Sequence, residues 1–464
     1  MSKPRDYSEL KNELAAEYAR HSPKSAALNE RAHQTMIDGG SHSLRLIKPF
    51  PPRLVSARGA YVQDADGHTL LDFWQGHYAN ILGHNPDAIT SALTRALQSG
   101  YGLQSGFTDQ LQIEVAEILC RQTGAERVRF TTSGALATMN AIMLARAFTG
   151  RELVMKVGGG WHGAQPWGLI GVNFASRAKP WDIESQGLPS ALAREVVVTR
   201  YNHPDLLRAH FKEYGNRLAC FIVEPFMGAG GFMPATGEYL RTARALCDQY
   251  GVVLILDEVI SGFRFRAGNL GALYNITPDL TTLAKAMGGG MPVAAVAGRA
   301  DILKLCGREG GGKVRFMGGT YSGHPASMLA AKTLLTYLVE HENEIYPRLA
   351  QLGAQTRQTI EDAFAAEGIF ARCTGHPNDV LRGSSMAVPQ FPYDEEQSLS
   401  SPDDVNDPTL CDVELRDHLF QLALLLDDVH VVHGGGALST AHTEQDIARL
   451  GESCRRVARR VRKY

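Results

Sequence analysis

Two residues of this 464-residue chain stand where covalent chemistry could be done. Lys285 follows an apolar run and precedes a glycine triplet, 288–290, which is an unusual place for a solvated surface lysine. A lysine that is desolvated loses part of its positive charge and can form a Schiff base with a carbonyl compound. Asp257 directly follows the apolar run 252–256. A carboxylate at a strand's carboxyl end lies where open α/β sheets bind ligands, although a structural acid is equally common there.

A third feature is the junction at residues 131–135, where a predicted strand ends and a predicted helix begins. Ser133, Gly134 and Ala135 occupy this junction. Free backbone N–H groups and the positive end of a helix dipole bind anions at such a place, and hydroxyl groups can add donors. A helix cap without a ligand uses the same residue types. The junction therefore predicts either an anion site or a plain N-cap.

Short apolar strands alternate with helices through the middle of the chain, and these elements must position the three features. Alternation of this kind predicts an α/β fold with a mostly parallel sheet that helices cover on both faces. The predicted strands are 127–130, 153–155, 196–198, 219–223 and 252–256, and the predicted helices are 108–122, 136–148, 238–250 and 326–343.

The flanking regions predict additional, smaller units. Residues 7–20 have apolar residues at helical spacing, and residues 60–73 read as a hairpin around a turn at 64–67. The region 386–411 is rich in proline and acidic residues and is expected to be an exposed loop. We divide the chain into a helical arm (1–50), a segment that begins the small domain and enters the large one (51–107), a large domain (108–343) and a C-terminal small α+β domain (344–464).

Composition excludes several classes of function. The chain has 47 basic and 49 acidic residues, which does not suit a polybasic nucleic-acid binder. No apolar run approaches the roughly 18 residues of a membrane span, and the first twenty residues contain no apolar signal segment. The seven cysteines form no CxxC pair, and His430 and His433 lack a third ligand nearby in sequence, so no metal is expected. We expect a cytoplasmic protein that binds neither nucleic acid nor membrane.

Several short stretches, taken in order, resemble one family. Over about residues 30–445 the chain resembles the class III aminotransferases, which are pyridoxal 5'-phosphate (PLP) enzymes of fold type I. The resemblance is greatest to glutamate-1-semialdehyde aminomutases and to aminotransferases of D-phenylglycine and β-amino acids. It implies a large domain with a mostly parallel central sheet covered by helices, and a smaller α+β domain. The stretches that carry it are 64–67, 82–84, 133–139, 144–150, 161–163, 222–225, 256–264, 283–292 and 318–320.

The resemblance assigns catalytic roles. Lys285 would hold PLP as a Schiff base and shuttle a proton, and Asp257 would pair with the pyridine nitrogen so that the ring accepts electrons. Glu224 matches the family's strand-end acid near the cofactor. His162 is expected beside it, with a cofactor-binding or a purely structural role.

Further positions would bind the cofactor itself. Ser133, Gly134 and Ala135 would surround the phosphate, while Trp161 would stack on one ring face and Val259 would press on the other. Thr320 matches the position that reaches the phosphate of the neighbouring subunit, which implies a homodimer.

Substrate residues are less well defined by the resemblance. Arg45 falls near the carboxylate-binding arginine of the family, with His42 as the neighbouring alternative. His77 matches a residue at the substrate entrance of the D-phenylglycine type, and Trp74 and Tyr78 flank it. An aromatic wall there would suit an apolar or aromatic amino acid as substrate. The same aromatic residues could equally belong to the hydrophobic core.

The chain departs from the family at one motif. Where the family has a hydroxyl residue and a glutamate, this sequence has Ala135 and Leu136. We expect transfer of an amino group between an amino acid (D-, β- or aromatic) and a keto acid through the Lys285 Schiff base. An intramolecular aminomutase or an epimerase is the alternative on the same scaffold, and a PLP-binding regulator without turnover is a third possibility. Survival of Lys285 and Asp257 argues against the regulator.

Overall fold

The computed structural model describes residues 5–172, 183–316 and 318–464. Residues 1–4 of the predicted arm, and residues 173–182 and 317 of the predicted large domain, lie outside the described residues. The strands are β1 (Leu54–Arg58), β2 (Tyr61–Asp64), β3 (Thr69–Asp72), β4 (Arg127–Thr131), β5 (Leu153–Val157), β6 (Val196–Thr199), β7 (Leu218–Val223), β8 (Phe226–Met227), β9 (Met233–Pro234), β10 (Val253–Glu258), β11 (Leu280–Leu283), β12 (Ala294–Gly298), β13 (Arg372–Thr374), β14 (Met386–Gln390), β15 (Val429–His430) and β16 (Gly436–Ala437).

The α-helices of these ranges include every helix that the sequence predicts. They are α1 (Ser8–His21), α2 (Pro23–His33), α3 (Gln75–Tyr78), α4 (Asp87–Gln98), α5 (Gln110–Thr123), α6 (Gly134–Thr149), α7 (Pro204–Tyr214), α8 (Gly237–Tyr250), α9 (Ala300–Leu303), α10 (Pro325–Glu340), α11 (Glu342–Ala365), α12 (Pro402–Asn406), α13 (Phe420–Leu425) and α14 (Glu444–Val461). Across the three described ranges, no helix is both long and apolar enough to cross a membrane.

A seven-stranded sheet lies at the centre, in the order β4-β12-β11-β10-β7-β5-β6. Only β12 runs antiparallel to its neighbours. Alternate residues of β12 face opposite sides, because Ala294 and Val296 pack in the cluster that contains α6, whereas Ala295 and Ala297 pack with α5. Helices therefore cover both faces, and the predicted fold class is confirmed.

The register of the parallel strands brings the predicted catalytic residues to one edge of this sheet. Leu256 of β10 pairs with Val223 of β7, so Asp257 and Glu224 follow at the same level. Leu283 of β11 pairs with Glu258, which places Lys285 just beyond the same edge. The carboxyl end of β4 also lies there, because Thr131 pairs with the first residue of antiparallel β12.

Three smaller sheets complete the described fold, one of them the two-stranded pair β8-β9. Another has the order β1-β2-β3-β15 and joins the predicted hairpin to a strand more than 350 residues later, since Leu71 pairs with Val429. The third has the order β13-β14-β16, and α11 packs on β13 and β14. The domain boundaries stay a prediction.

The expectation of an exposed loop at 386–411 was wrong. Its first five residues form β14, the middle strand of a sheet, and all five are buried. Ser401 and Asp404 are buried in a capping box at the start of α12. The proline and acidic content that suggested exposure thus belongs partly to a helix start, where both residue types are favourable.

Candidate active site

Lys285 lies immediately after β11, at the start of a short 3-10 turn, Lys285–Gly288. Its backbone is left-handed, with φ of 47°, a conformation that costs energy for a residue with a side chain. Burial lowers the pKa of Lys285, although the charges of Asp257 and Glu224 oppose the shift. The amine is therefore easier to deprotonate than a surface lysine, as a nucleophile requires.

Asp257 is buried near the end of β10, and three donors converge on its carboxylate. Thr282 Oγ1 donates to Oδ1 over 2.9 Å, and the backbone N–H of Val259 donates to the same oxygen over 3.1 Å. His162 Nδ1 lies 2.7 Å from Oδ2. Because a carboxylate only accepts, His162 carries its proton on Nδ1 and leaves Nε2 as an acceptor, for which no described residue supplies a donor.

Glu224 is also buried, one residue after β7. Its two oxygens accept hydrogen bonds from the backbone N–H groups of Trp161 (3.0 Å) and Gly228 (2.9 Å). Burial, together with the nearby charge of Asp257, raises the pKa of Glu224 to about 8. Glu224 thus holds the backbone of the loop that carries Trp161.

The start of α6 is the junction for which either an anion site or a plain N-cap was predicted. Ser133 is the N-cap and accepts a hydrogen bond from the backbone N–H of Leu136 over 3.4 Å. Gly134 packs directly beneath Val259, because a Cβ at position 134 would lie 2.9 Å from Val259 Cγ1. A Cβ on Gly163 would lie 2.5 Å from Ala135. The backbone at the start of α6 thus makes two close contacts, Gly134 with Val259 and Gly163 with Ala135, that only glycine permits.

The loop after β5 is fixed by a lysine that the sequence reasoning missed. Lys156 is 1% exposed, and its Nζ donates to the backbone carbonyls of Gly168 (3.0 Å) and Ile170 (2.8 Å). Trp161 and His162 lie in sequence between Lys156 and these two carbonyl groups, so the hydrogen bonds of Lys156 close the loop that contains them. The position of Lys156 within the otherwise apolar stretch 153–157 was the sequence feature that could have indicated a buried lysine.

One cavity of about 620 Å³ brings most of the predicted cofactor residues together. Its walls include every predicted cofactor residue except Thr320, and they also include Arg45 and His77. Of the two positions that depart from the family motif, Ala135 lines this cavity and Leu136 does not. The predicted cofactor residues on the wall are Ser133, Gly134, Ala135, Trp161, His162, Asp257, Val259 and Lys285.

A second cavity of about 490 Å³ adjoins the first and shares Lys285, Trp161, His77 and His42 with it. Trp74, Tyr78 and Phe232 line it, with ring centroids 4.9 Å apart for Trp74 and Tyr78 and 5.1 Å apart for Tyr78 and Phe232. Trp74 and Tyr78 are largely buried but face this space, so they form a wall as well as part of the core.

The aromatic wall rests on a left-handed turn. Gln75, Gly76, His77 and Tyr78 all have φ between 45° and 65°. Three of them carry side chains, for which this conformation costs roughly 1–2 kcal/mol per residue. Burial, together with the charge of Lys285, lowers the pKa of His77 to about 3, so His77 is neutral in the cavity.

Asp72 anchors this turn, a role that the sequence analysis did not predict. Its carboxylate accepts hydrogen bonds from the backbone N–H groups of Trp74 (3.0 Å) and Gln75 (2.8 Å). His84 Nε2 and His430 Nδ1 each lie 2.7 Å from it. His430, considered above for metal binding, is thus a partner of a buried aspartate.

The structure does not bring every predicted residue to the cavities. Arg45 is exposed at the rim of the larger one, and His42 lies at the junction of both. Thr320 is exposed and lines neither cavity. Its segment is tied to the end of β4, since Thr131 Oγ1 donates to the carbonyl of Gly318 over 3.2 Å.

Arg416 also lines the smaller cavity and was not predicted. It is 6% exposed, and its guanidinium donates to both oxygens of Asp417. It also donates to Gln390, Asn406 and the carbonyl of Val405. The charge of Arg416 is therefore already compensated within the chain.

Comparison with known proteins agrees with this geometry. Residues 47–372 match the model of the family described as Aminotransferase class-III. An omega-transaminase from Sphaerobacter thermophilus is 28% identical, with a TM-score of 0.85 over 96% of this chain and 99% of the other. A β-phenylalanine aminotransferase from Variovorax paradoxus is 28% identical, with a TM-score of 0.83 over 97% of each chain. A glutamate-1-semialdehyde aminomutase from Pseudomonas aeruginosa PAO1 shares the fold, with a TM-score of 0.83 at 19% identity over 97% of this chain and 98% of the other.

The chain belongs to the class III aminotransferases. It is a PLP-dependent transaminase, and the predicted activity and cofactor are confirmed. The cavity fits this cofactor, because it combines a buried lysine, a buried carboxylate and a helix N-terminus whose glycine leaves room between α6 and Val259.

Proposed function

We propose that this transaminase moves the amino group of an apolar or aromatic amino acid, a β-amino acid among them, to a keto acid. The observation that carries the proposal is the aromatic cavity beside Lys285, walled by Trp74, Tyr78 and Phe232. Rings at this spacing bind an apolar side chain by burial and edge-to-face contact. The β-phenylalanine aminotransferase and omega-transaminase among the relatives, at 28% identity, support an aryl-substituted amine as donor.

We assign the proton transfers to Lys285. When bound, PLP supplies an electron sink for the carbanion left when the substrate loses a proton. Lys285 has the lowered pKa and the position at the junction of both cavities that a proton shuttle needs. Asp257, whose carboxylate is hydrogen-bonded to His162, would keep the pyridine nitrogen protonated. Trp161 and Val259 would contact the two faces of the ring.

Arg45 is our candidate for the substrate carboxylate. It forms no ion pair with any described residue, whereas Arg416 is held by Asp417 on both oxygens. An uncompensated guanidinium at a cavity rim attracts a carboxylate more strongly than one already paired. His42, neutral because burial and the charges of Arg45 and Lys285 lower its pKa, is the weaker candidate.

Paired substrates test this assignment. Arg45→Gln should raise KM for β-phenylalanine by about 10- to 100-fold, because a charge-assisted hydrogen bond is worth roughly 1.5–3 kcal/mol. The same variant should leave KM for 1-phenylethylamine, which has no carboxylate, within about twofold of the wild type. Arg31→Gln, at an exposed arginine of α2, is the control. Equal effects on both amines would show that Arg45 does not bind the carboxylate.

We also propose a homodimer in which Thr320 reaches the partner's cofactor phosphate. Several large apolar side chains are exposed near this segment: Leu103 (75%), Phe107 (73%), Tyr321 (62%) and Ile113 (60%). The segments of Phe107 and Tyr321 are held together, since Gln112 Nε2 donates to the carbonyls of both Phe107 and Gly323. Exposed apolar side chains gathered in this way mark a protein–protein contact.

Ultracentrifugation tests the dimer. The wild type should sediment as a dimer, and Phe107→Glu should dissociate it and weaken PLP binding together, whereas Phe148→Glu, at another exposed phenylalanine, should do neither. A monomeric wild type that retains PLP would contradict the proposal. The cytoplasmic location stays a prediction, and seven unpaired cysteines suit a reducing compartment.

A half-reaction separates transamination of these donors from the aminomutase or epimerase alternative. Holoenzyme mixed with β-phenylalanine and no acceptor should lose its visible cofactor absorbance and release one equivalent of keto product. Lys285→Ala is the control and should release none. If product forms catalytically without any acceptor, or the substrate is only racemised, an intramolecular reaction is the better description.

A further inference from the structure

A second cluster of chemically active side chains lies apart from the two cavities, where the N-terminal helix meets the small sheet. His21 ends α1, His68 lies in the turn between β2 and β3, and Asp428 directly precedes β15. One ligand atom of each residue lies within 4.8 Å of the others. Two imidazoles and a carboxylate from three distant segments thus converge on one point.

His68 is oriented as a metal-binding histidine usually is. Its Nδ1 lies 2.9 Å from Oδ2 of the buried Asp64. The other oxygen of Asp64 accepts the backbone N–H groups of Asp66, Gly67 and His68, over 3.0, 2.9 and 2.8 Å, so the carboxylate is fixed. A histidine that donates its Nδ1 proton to a carboxylate presents Nε2 as a lone pair, which is the arrangement found behind zinc-bound histidines.

His21 points the same kind of atom at the same place. Its Nδ1 lies 3.0 Å from Ser22 Oγ, and its Nε2 lies 3.6 Å from Oδ1 of Asp428. The two imidazole rings stack, with centroids 3.9 Å apart.

Asp428 provides an independent observation. Its Oδ1 is buried and accepts no hydrogen bond from any described residue. Its backbone is fixed, since its carbonyl accepts the N–H of Leu71 over 2.8 Å and Arg449 Nη2 over 3.0 Å.

The geometry points to a structural site for Zn²⁺, or a divalent transition metal of similar preference, bound by Nε2 of His21, Nε2 of His68 and Oδ1 of Asp428. Nitrogen and carboxylate ligands about 2.0–2.2 Å from the metal match this class of ion, and water would complete a tetrahedron. The three ligand atoms already lie within 4.8 Å of one another, and side-chain rotations would bring them to these distances. The metal would tie α1 to the β2–β3 hairpin and to β15, the parallel partner of β3.

Metal titration of the full-length holoenzyme tests the site. After EDTA treatment and removal of the chelator, calorimetric titration with ZnCl₂ should show one Zn²⁺ bound per chain, and the melting temperature should rise with Zn²⁺ concentration. His21→Gln and His68→Gln should each weaken Zn²⁺ affinity at least about tenfold and abolish the rise in melting temperature. His33→Gln, at an exposed histidine of α2, is the matched control and should behave as the wild type.

Each outcome decides the question. Melting curves in EDTA show whether a variant folds, and Asp428→Asn replaces any histidine variant that does not. Absence of Zn²⁺ binding to the wild type would overturn the proposal, as would binding that persists unchanged in the ligand variants. In that case His21 and Asp428 form an ordinary ion pair.

Discussion

Lys156 allows a quantitative test of how the loop of Trp161 and His162 is held. Burial lowers the pKa of Lys156 to about 7, although Glu184 and Glu224 oppose the shift, whereas an unfolded lysine titrates near 10.4. Between these values the unfolded chain binds a proton that the native protein does not, so stability rises with pH. A neutral amine retains two N–H donors, and its bonds to Gly168 and Ile170 can survive deprotonation.

The perturbation is Lys156→Met, which keeps the length of the side chain and removes the titration. From the two pKa values, the wild type should gain about 2 kcal/mol relative to this variant between pH 7 and pH 9. Urea unfolding of both proteins at several pH values measures the difference, with Lys212→Met, at an exposed lysine, as the control. A constant difference between wild type and Lys156→Met across this range would refute a neutral buried lysine.

Two other predictions concern the start of α6 and the aromatic wall. Gly134→Ala should cost about 1–3 kcal/mol of unfolding free energy by overpacking against Val259, and Val259→Ala should restore most of it in the double variant; strictly additive costs in urea unfolding would contradict the contact. Asp72→Asn should cost about 3–5 kcal/mol at pH 7, because it leaves His84 and His430 without their carboxylate. Burial raises the pKa of Asp72, but the hydrogen bonds of the two histidines outweigh burial and lower the pKa. The stability that Asp72 contributes is therefore present above about pH 4 and is lost as the pH falls, so the cost of Asp72→Asn should shrink in unfolding measurements at acid pH. A cost independent of pH would disprove the ion pairing.

Local pattern was sufficient to predict the sheet edge that carries the chemistry. The strands β7 and β10, which carry Glu224 and Asp257 at their ends, are short and apolar and lie within two residues of their predicted ranges, whereas β11, before Lys285, was noted only as an apolar run and not as a strand. Once parallel pairing is expected, the carboxyl ends must meet, so the side chains that follow them come together. Strand ends therefore predicted a ligand site at Asp257, whereas the roles of Glu224 and Lys285 in one site were inferred from the family resemblance.

Features made by contacts across long sequence distances were not predictable. Asp72 reads as an ordinary strand-end acid until β15 brings His430 beside it, 358 positions away. The left-handed turn at 75–78 contains only one glycine, so its sequence lacks the usual signal for positive φ. Burial of β14 likewise depends on its two partner strands, β13 and β16, rather than on its own composition.

The two acids at the sheet edge illustrate how environment separates residues that sequence treats alike. Glu224 directly follows β7 and Asp257 lies near the end of β10 at the same level, and both are about 3% exposed. Glu224 accepts two backbone N–H groups, yet burial and the neighbouring carboxylate raise its pKa to about 8. Asp257 has three donors, one of them an imidazole that it orients.

Two carboxylates this close are stabilised if only one is fully ionised. Asp257, unlike Glu224, lines the larger cavity. Under the proposed function a cationic ring nitrogen needs an accessible carboxylate, so Asp257 suits that role. Glu224, partly protonated and turned toward the backbone of Trp161 and Gly228, suits the support of the loop. Exchanging the two side chains, Glu224→Asp with Asp257→Glu, should therefore abolish transamination even if PLP still binds.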